Sequence, residues 1–326
     1  MNGQIQSEEK KHMPSITHKA DLSRLQRIKK TIIRDKYLYL LLIPFIAWYI
    51  IFLYRPMYGL QIAFKDYSIF QGIEASPWVG FQHFVQFFES DYFIRTLKNT
   101  ILISLYTLVF AFPAPIILAL LFNEIKSVTY RKLTQTATYL PYFISIVVVA
   151  GIVTNFLSPS NGLVNIIIEK LGGEKIYFLT NPEYFRSIFI GMNIWKDVGF
   201  NAIIYIAAIS GINPQLYEAA KMDGANRWKQ MWHVTLPGII PTILILFILN
   251  IGSFLEVGYE AIILLYQPAT YETADVINTY VYRAGLQGAN YEIGAAAGLF
   301  NAVVGLVLVV TANKITKKFS ESGGLW

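Results

Sequence analysis

The chain contains no cysteine. That excludes disulfides, thiol nucleophiles and cysteine metal sites. Histidine is scarce: His12, His18, His83 and His233 are scattered, with no HxxxH or HExxH spacing, so no metal site is expected. No GxxxxGK[ST] phosphate loop occurs, which leaves the chain without the means to cradle ATP on its own. No long low-complexity linker divides it. Charge is also sparse. Of 326 residues 15% are charged and 54% hydrophobic, and the mean hydropathy is +0.44. The charges cluster, leaving long stretches nearly free of them. Such a composition is too apolar for a soluble protein and points to a polytopic membrane protein.

Six apolar spans are long enough to cross a ~30 Å hydrocarbon core as helix. They run over about 37–54, 97–122, 133–157, 186–211, 238–266 and 293–313. The first, "YLYLLLIPFIAWYIIFLY", follows a polar stretch and has no small-residue cleavage site, so it reads as a retained helix. Pro44, Pro113, Pro115 and Pro241 predict local kinks. The division expected is a polar, basic tail over 1–36, a six-helix domain over 37–318 and a short tail over 319–326. A basic interfacial helix is expected near 21–36.

Orientation follows from lysine and arginine. Nine lie in the first 36 residues, and three each in 123–132, 212–237 and 314–326. Together these make 18 of the 27 basic residues, all on one side of a six-span chain. The positive-inside rule puts that side, and both termini, in the cytoplasm. The rule also accounts for the net charge of +6 without nucleic acid.

One cytoplasmic segment is unusual. "YEAAKMDGANRWKQMWHVTLP" (217–237) carries Glu218, Lys221, Asp223, Arg227, Lys229 and His233 between two strongly apolar stretches. Asn213 can cap a helix and Pro214 suits its first position. Gly224 allows a stop or reversal that side-chained residues resist. The expectation is a short helix, a Gly turn and a second short amphipathic helix bearing Trp228, Met231 and Trp232, with Pro237 opening the next span. A tryptophan-anchored surface helix fits the spacing equally well. A lipid-binding helix fits less well, because Glu218 and Asp223 dilute the positive charge.

The segment resembles the EAA loop of ATP-binding-cassette importer permeases. Glu218-Ala219-Ala220, Gly224, Val234 and Leu236-Pro237 stand at that loop's spacing, and "EAAKMDGA" is similar to its sugar-importer branch. "NIWKDVGFNAIIYIAAISGINPQLYEAA" and "TYLPYFISIVVVAGIVTNFLSPSNGLVN" resemble the spans around it. "RPMYGLQIAFKDYS" and "SPWVGFQHF" resemble the branch that imports oligosaccharides released from polysaccharides. The resemblance implies an all-α membrane protein of the type I importer permease fold, in a bacterial cell membrane. It implies that the helix of Glu218 docks on a cytoplasmic ATPase, with Ala219, Ala220, Asp223, Gly224, Leu236 and Pro237 shaping the coupling loop. The implied partners are two such ATPases, a second related permease (a different chain rather than a copy), a solute-binding protein outside and membrane lipid. No cofactor is expected on this chain; ATP and Mg belong to the ATPase.

Polar residues inside spans require a reason. Asn193, Asp197, Asn201 and Tyr205 recur every four residues in the fourth span and share one slowly drifting face. Trp195 and Lys196 sit beside them. In the fifth span, Asn250, Ser253 and Glu256 repeat every three residues, followed by Tyr259 and Glu260. Both sets suit a wet path for sugar, where rings stack and amides bond hydroxyls. Interhelical hydrogen bonding, or local neutralisation of Lys196 by Asp197, is the plainer explanation for any one residue. "GAAAG" (294–298) with Gly305 permits close helix approach, within the chain or across a dimer seam. The alternative class is a stand-alone secondary transporter or channel. It predicts inverted repeats, and none is visible. A membrane enzyme lacks a nucleophile–base or carboxylate pair at the inner face.

Overall fold

The computed structural model describes residues 31–319. The expected interfacial helix near 21–36 falls mostly outside those residues, as do most of the two tails. Among the described residues the chain is helical, with a single antiparallel bridge between Lys65 and Trp78 and no strand. The described residues divide into two compact units, parted after Gly59.

In the first unit, α1 (Lys36–Tyr49) passes into a wide turn of π-helix, Ile50–Tyr54. Pro44 lies inside α1, and none of its residues is buried. An apolar helix with no buried side is what lipid, rather than water, solvates.

The second unit is a helix bundle built around α4 (Pro182–Ser210). α2 is Asp91–Glu124; the broken third span follows as Val128–Phe143 and α3 (Ile146–Phe156). After α4 come α5 (Pro214–Met222), α6 (Arg227–Gly252), α7 (Tyr259–Leu265) and α8 (Tyr291–Phe319). α4 has 29 residues and so is about 43 Å long at 1.5 Å per residue. Asn181 caps it by accepting from the Glu183 amide at 3.0 Å. Phe185, Phe189 and Met192 pack one end of α4 against α3 and α7 residues such as Val149 and Ile262. Ala202, Tyr205 and Ile209 pack its other end against Ala119 and Ile239.

Among the described residues, four helices are long and apolar enough to cross a membrane: Lys36–Phe64, Asp91–Glu124, Arg227–Gly252 and Tyr291–Ile315. The broken third span is a fifth by composition. α4 has the length, but Asn193, Lys196, Asp197 and Asn201 dilute its apolar character.

Three expectations change. The span over 133–157 is not straight: it bends by 101° between Phe143 and Ile146. Pro141 lies in its last, 3-10 turn, and Ser145 starts α3 afresh, its hydroxyl accepting from the Val148 amide. Gly199 of α4 lets the helix before the break lie close against it, since a Cβ there would stand 2.1 Å from the Thr138 carbonyl oxygen. Next to it Tyr142 stacks on Phe200 at 3.8 Å. The span over 238–266 is likewise not continuous. Its helix stops at Gly252, and α7 begins only after Gly258, whose φ of +63° turns the chain. Finally, the amphipathic stretch after Gly224 is not a separate helix but the first turns of α6. A π turn, Met231–Thr235, precedes Pro237, as another, Thr107–Ala111, precedes Pro113. A wider turn accommodates a residue that lacks an N–H and clashes with the carbonyl four residues back.

Lipid provides no hydrophobic drive between helices, so polar bonds and close packing hold the bundle. Asp275 is the main pin. It is fully buried and accepts from Arg95 at 2.9 Å, from Arg283 at 2.9 and 2.7 Å, and from Thr279 at 2.8 Å. Asn99 of α2 donates to the carbonyls of Glu272 and Asp275, and accepts from Arg186 of α4 at 2.8 Å. These bonds fasten the segment after α7 to α2 and α4. Close packing adds to them where Gly294 of α8 meets Gly285, a Cβ on Gly294 falling 2.7 Å from the Gly285 Cα. The GAAAG motif thus serves packing within the chain at its first glycine.

Candidate functional site

The polar face of α4 is turned into a cavity of about 360 Å³. Asn193, Asp197, Asn201 and Tyr205 line it from α4; Asn250, Ser253 and Glu256 come from α6 and the turn after it. The two sets singled out in the sequence therefore share one space. α2 supplies Ser104, Thr107 and Phe112 as a third wall. The Ser104 hydroxyl donates to the Phe254 carbonyl, which ties α2 to the break after Gly252. That break turns Glu256 and Tyr259 toward the cavities instead of along a helix face.

A second cavity, about 1,080 Å³, shares Asn193, Asp197, Glu256 and Gly258 with the first and continues from it. Lys196, Tyr259 and Glu260 line it, with Asn278, Tyr282 and Asn301. Lys196 is paired with Asp197 at 3.1 Å, and its ammonium lies 4.9 Å from the centre of the Tyr142 ring. The pair is neutral as a unit, which is how a carboxylate is tolerated inside the bundle. Glu256 and Glu260 have no ion pair among the described residues. Trp195 faces away: it is 46% exposed and lines neither cavity. A helix turns about 100° per residue, so a position two away from Asn193 falls on another face.

Ser104, Thr107, Asn278, Tyr282 and Asn301 were not singled out from the sequence. Asn301 alone left a signal, as one amide in the apolar run of α8. The others stand among residues of similar polarity.

The second feature is the 212–237 segment. Asn213 accepts from the Gln215 amide at 3.0 Å and Pro214 opens α5, as expected. α5 ends in a Schellman motif: Ala225 N–H donates to the Ala220 carbonyl at 2.9 Å and Gly224 N–H to Lys221 at 3.0 Å. Gly224 takes φ +73°, the left-handed region that favours glycine. Tyr217 hydroxyl meets Thr235 hydroxyl at 3.0 Å, closing α5 back on the start of α6. Arg227 approaches Glu124 at 3.3 Å, linking the segment to the end of α2. No residue of α5 is buried. Glu218 and Ala219 are exposed, as are Leu216, Met222 and Trp228. The helix thus leaves both charged and apolar side chains uncovered.

A helical bundle with polar side chains gathered in a cavity between its spans and an uncovered helix beyond them is the architecture of a membrane transport protein. The chain belongs to the family described as binding-protein-dependent transport system inner membrane component, whose profile matches residues 37–320. It is therefore an integral membrane transport permease. It is 46% identical over 298 residues to the polygalacturonan/rhamnogalacturonan transport system permease protein YteP of Bacillus subtilis (strain 168), covering 91% of this chain and 93% of that one. It is 43% identical to protein LplB of the same organism, over 96% and 98% of the two chains. Among solved structures, it resembles a chain of a bacterial ABC transporter involved in the import of the acidic polysaccharide alginate. The TM-score is 0.85 with 55% identity, over 90% of this chain and all of that one. A second such structure, with the same score, is of the transporter in complex with an alginate pentasaccharide-bound periplasmic protein.

Proposed function

We propose that this chain is the permease subunit of an ATP-driven, binding-protein-dependent importer of oligosaccharides cut from polysaccharides. The observation that carries the reading is the convergence of Asn193, Asp197, Asn201, Asn250 and Ser253, from two separate spans, on one cavity. Carboxamides and hydroxyls offer both donors and acceptors, which sugar hydroxyls need when they leave water. The Lys196–Asp197 pair adds polarity without net charge. The names of the relatives favour polysaccharide fragments as cargo, acidic ones among them.

On this reading α5 is the coupling helix. Glu218 faces basic residues of a cytoplasmic ATPase, Ala219 and Ala220 allow close approach, and Asp223, Gly224, Leu236 and Pro237 hold the turn and its return to α6. Closure of an ATPase pair, which binds the ATP and Mg, moves α5 and through it α4 and α6. The bistable element is the bundle, biased by contacts that differ between its two states. The remaining partners are a second, non-identical permease, a solute-binding protein on the outer face and the lipid of a bacterial cell membrane, with both termini cytoplasmic. The periplasmic protein bound to the alginate transporter supports the solute-binding partner.

Purification of the chain from native membrane tests the assembly: an ATPase and a second permease are expected in the eluate. Uptake by reconstituted complex tests the path. Asn201→Leu or Asn250→Leu, still assembling, is expected to raise the KM for cargo about tenfold, the loss of one or two hydrogen bonds. Unchanged affinity and selectivity in both variants would remove these residues from the path.

A further inference from the structure

The large cavity has a wall that the cargo path as proposed does not use. Asn301 stands in the middle of α8, in an otherwise apolar run, and is only 8% exposed. Its Nδ2 donates to Asn278 Oδ1 at 3.0 Å, while its own Oδ1 is buried and has no donor among the described residues. Buried polar atoms in folded proteins nearly always have a partner, so an unpaired acceptor on a cavity-lining residue marks a place for an arriving donor. Gly298 and Gly305 lie one turn to either side of Asn301 on the same face of α8, and all three line the cavity. A Cβ at either glycine would meet nothing within 4 Å. Packing therefore does not demand these glycines; they leave the helix surface flat and open around the amide. Tyr259 and Tyr282 also line this cavity, offering ring faces and hydroxyls.

We propose that Asn278, Asn301 and Tyr282 form a second sugar subsite, which holds a further ring of the same oligosaccharide through its hydroxyls. The proposal rests on the cargo reading above and extends it. Both cavities meet at Asn193, Asp197 and Glu256, so one chain of sugars can lie in both. The smaller cavity is near the lower end of the roughly 300–1,000 Å³ of small-molecule sites and the larger at the upper end. A short oligosaccharide fills the first, and only a longer one reaches α8. Glu256 and Glu260, which line the same cavity, accept hydroxyl hydrogens and repel carboxylates. The subsite thus recognises hydroxyls even where the cargo is a uronic acid.

The test uses the complete importer in proteoliposomes with its binding protein, and digalacturonate and tetragalacturonate as probes. Asn301→Ala and Asn278→Ala are each expected to raise the KM for the tetramer about tenfold, with kcat and the KM for the dimer unchanged. Tyr282→Phe is expected to act in the same direction, more weakly. Should Asn301→Ala fail to assemble, the half-buried Asn278 carries the same expectation. Equal effects on both lengths would mean that the amides only pack the bundle, and no effect on either would place the sugar elsewhere; both overturn the subsite. Loss of the tetramer's advantage on methyl esterification, in the unaltered importer, would overturn hydroxyl recognition. An unaltered importer that takes up neither probe nor their esters would overturn the cargo reading itself, and the subsite with it.

Discussion

At the scale of single residues, the strongest interactions lie away from the proposed cargo cavity. Asp275 carries one charge and meets two guanidiniums, Arg95 and Arg283, with Thr279 completing its shell. Hydrogen bonding to Asp275 holds the Arg283 guanidinium above its ordinary pKa, against the opposing effect of burial. Arg283 also lies 4.7 Å from the centre of the Tyr271 ring, which steadies it further. Removing the shared carboxylate leaves two arginines facing each other in a site of low polarity. Asp275→Ala is expected to destabilise the protein by about 3 kcal/mol, the low end for a broken buried pair because both arginines keep some solvent. Thermal unfolding of the purified complex checks it, and an unchanged Tm would show that the pin carries no load. Asn99 plays a neutral version of the part, its amide spread over the carbonyls of Glu272 and Asp275.

At the scale of elements, two glycines do unlike work. Gly199 is needed for space, because α4 crosses the broken third span where a side chain would strike the Thr138 carbonyl. Gly224 is needed for conformation: nothing crowds it, but its φ of +73° is costly for most side chains. Gly224→Val is expected to cost about 1–2 kcal/mol in the turn and to misdirect α5. Asn tolerates this region better, so Gly224→Asn is expected to retain function. Co-purification of the ATPase and cargo-driven ATP hydrolysis are the readouts. Equal activity of the Val and Asn variants would separate the turn from coupling. The contrast bears on α5 as a handle: Tyr217–Thr235 and Arg227–Glu124 tie it to α6 and α2, so its position is inherited by two spans at once.

For the whole molecule, the distribution of charge sets how the bundle sits in lipid. Eighteen of 27 lysines and arginines fall on the side assigned to the cytoplasm. The chain has no cysteine, so a single introduced thiol reports the side of its position without background. Ser160→Cys is expected to react with an impermeant maleimide on intact cells, and Met222→Cys, 89% exposed in the native side chain, only after permeabilisation. The reverse pattern would invert the assigned orientation.

The sequence by itself determined what depends on near neighbours. The Asn213-Pro214 start, the Gly224 turn and the polar stripe of α4 were all legible, because capping, backbone freedom and helical period act over a few residues. So was the kinship of the chain, through the spacing of Glu218, Gly224 and Pro237. Tertiary structure decided what depends on distant partners. It broke the third span at Ile144, after a helix that Gly199 lets lie close to α4, and stopped the fifth at Gly252, short of the apolar run that resumes in α7. It turned Trp195 out and brought Ser104, Asn278 and Asn301 in. The Asp275 pin joins positions up to 180 residues apart, and no local pattern announces it. Hydropathy records how a stretch partitions between water and lipid; where a polar group inside the bundle finds its partner is settled only when the helices pack.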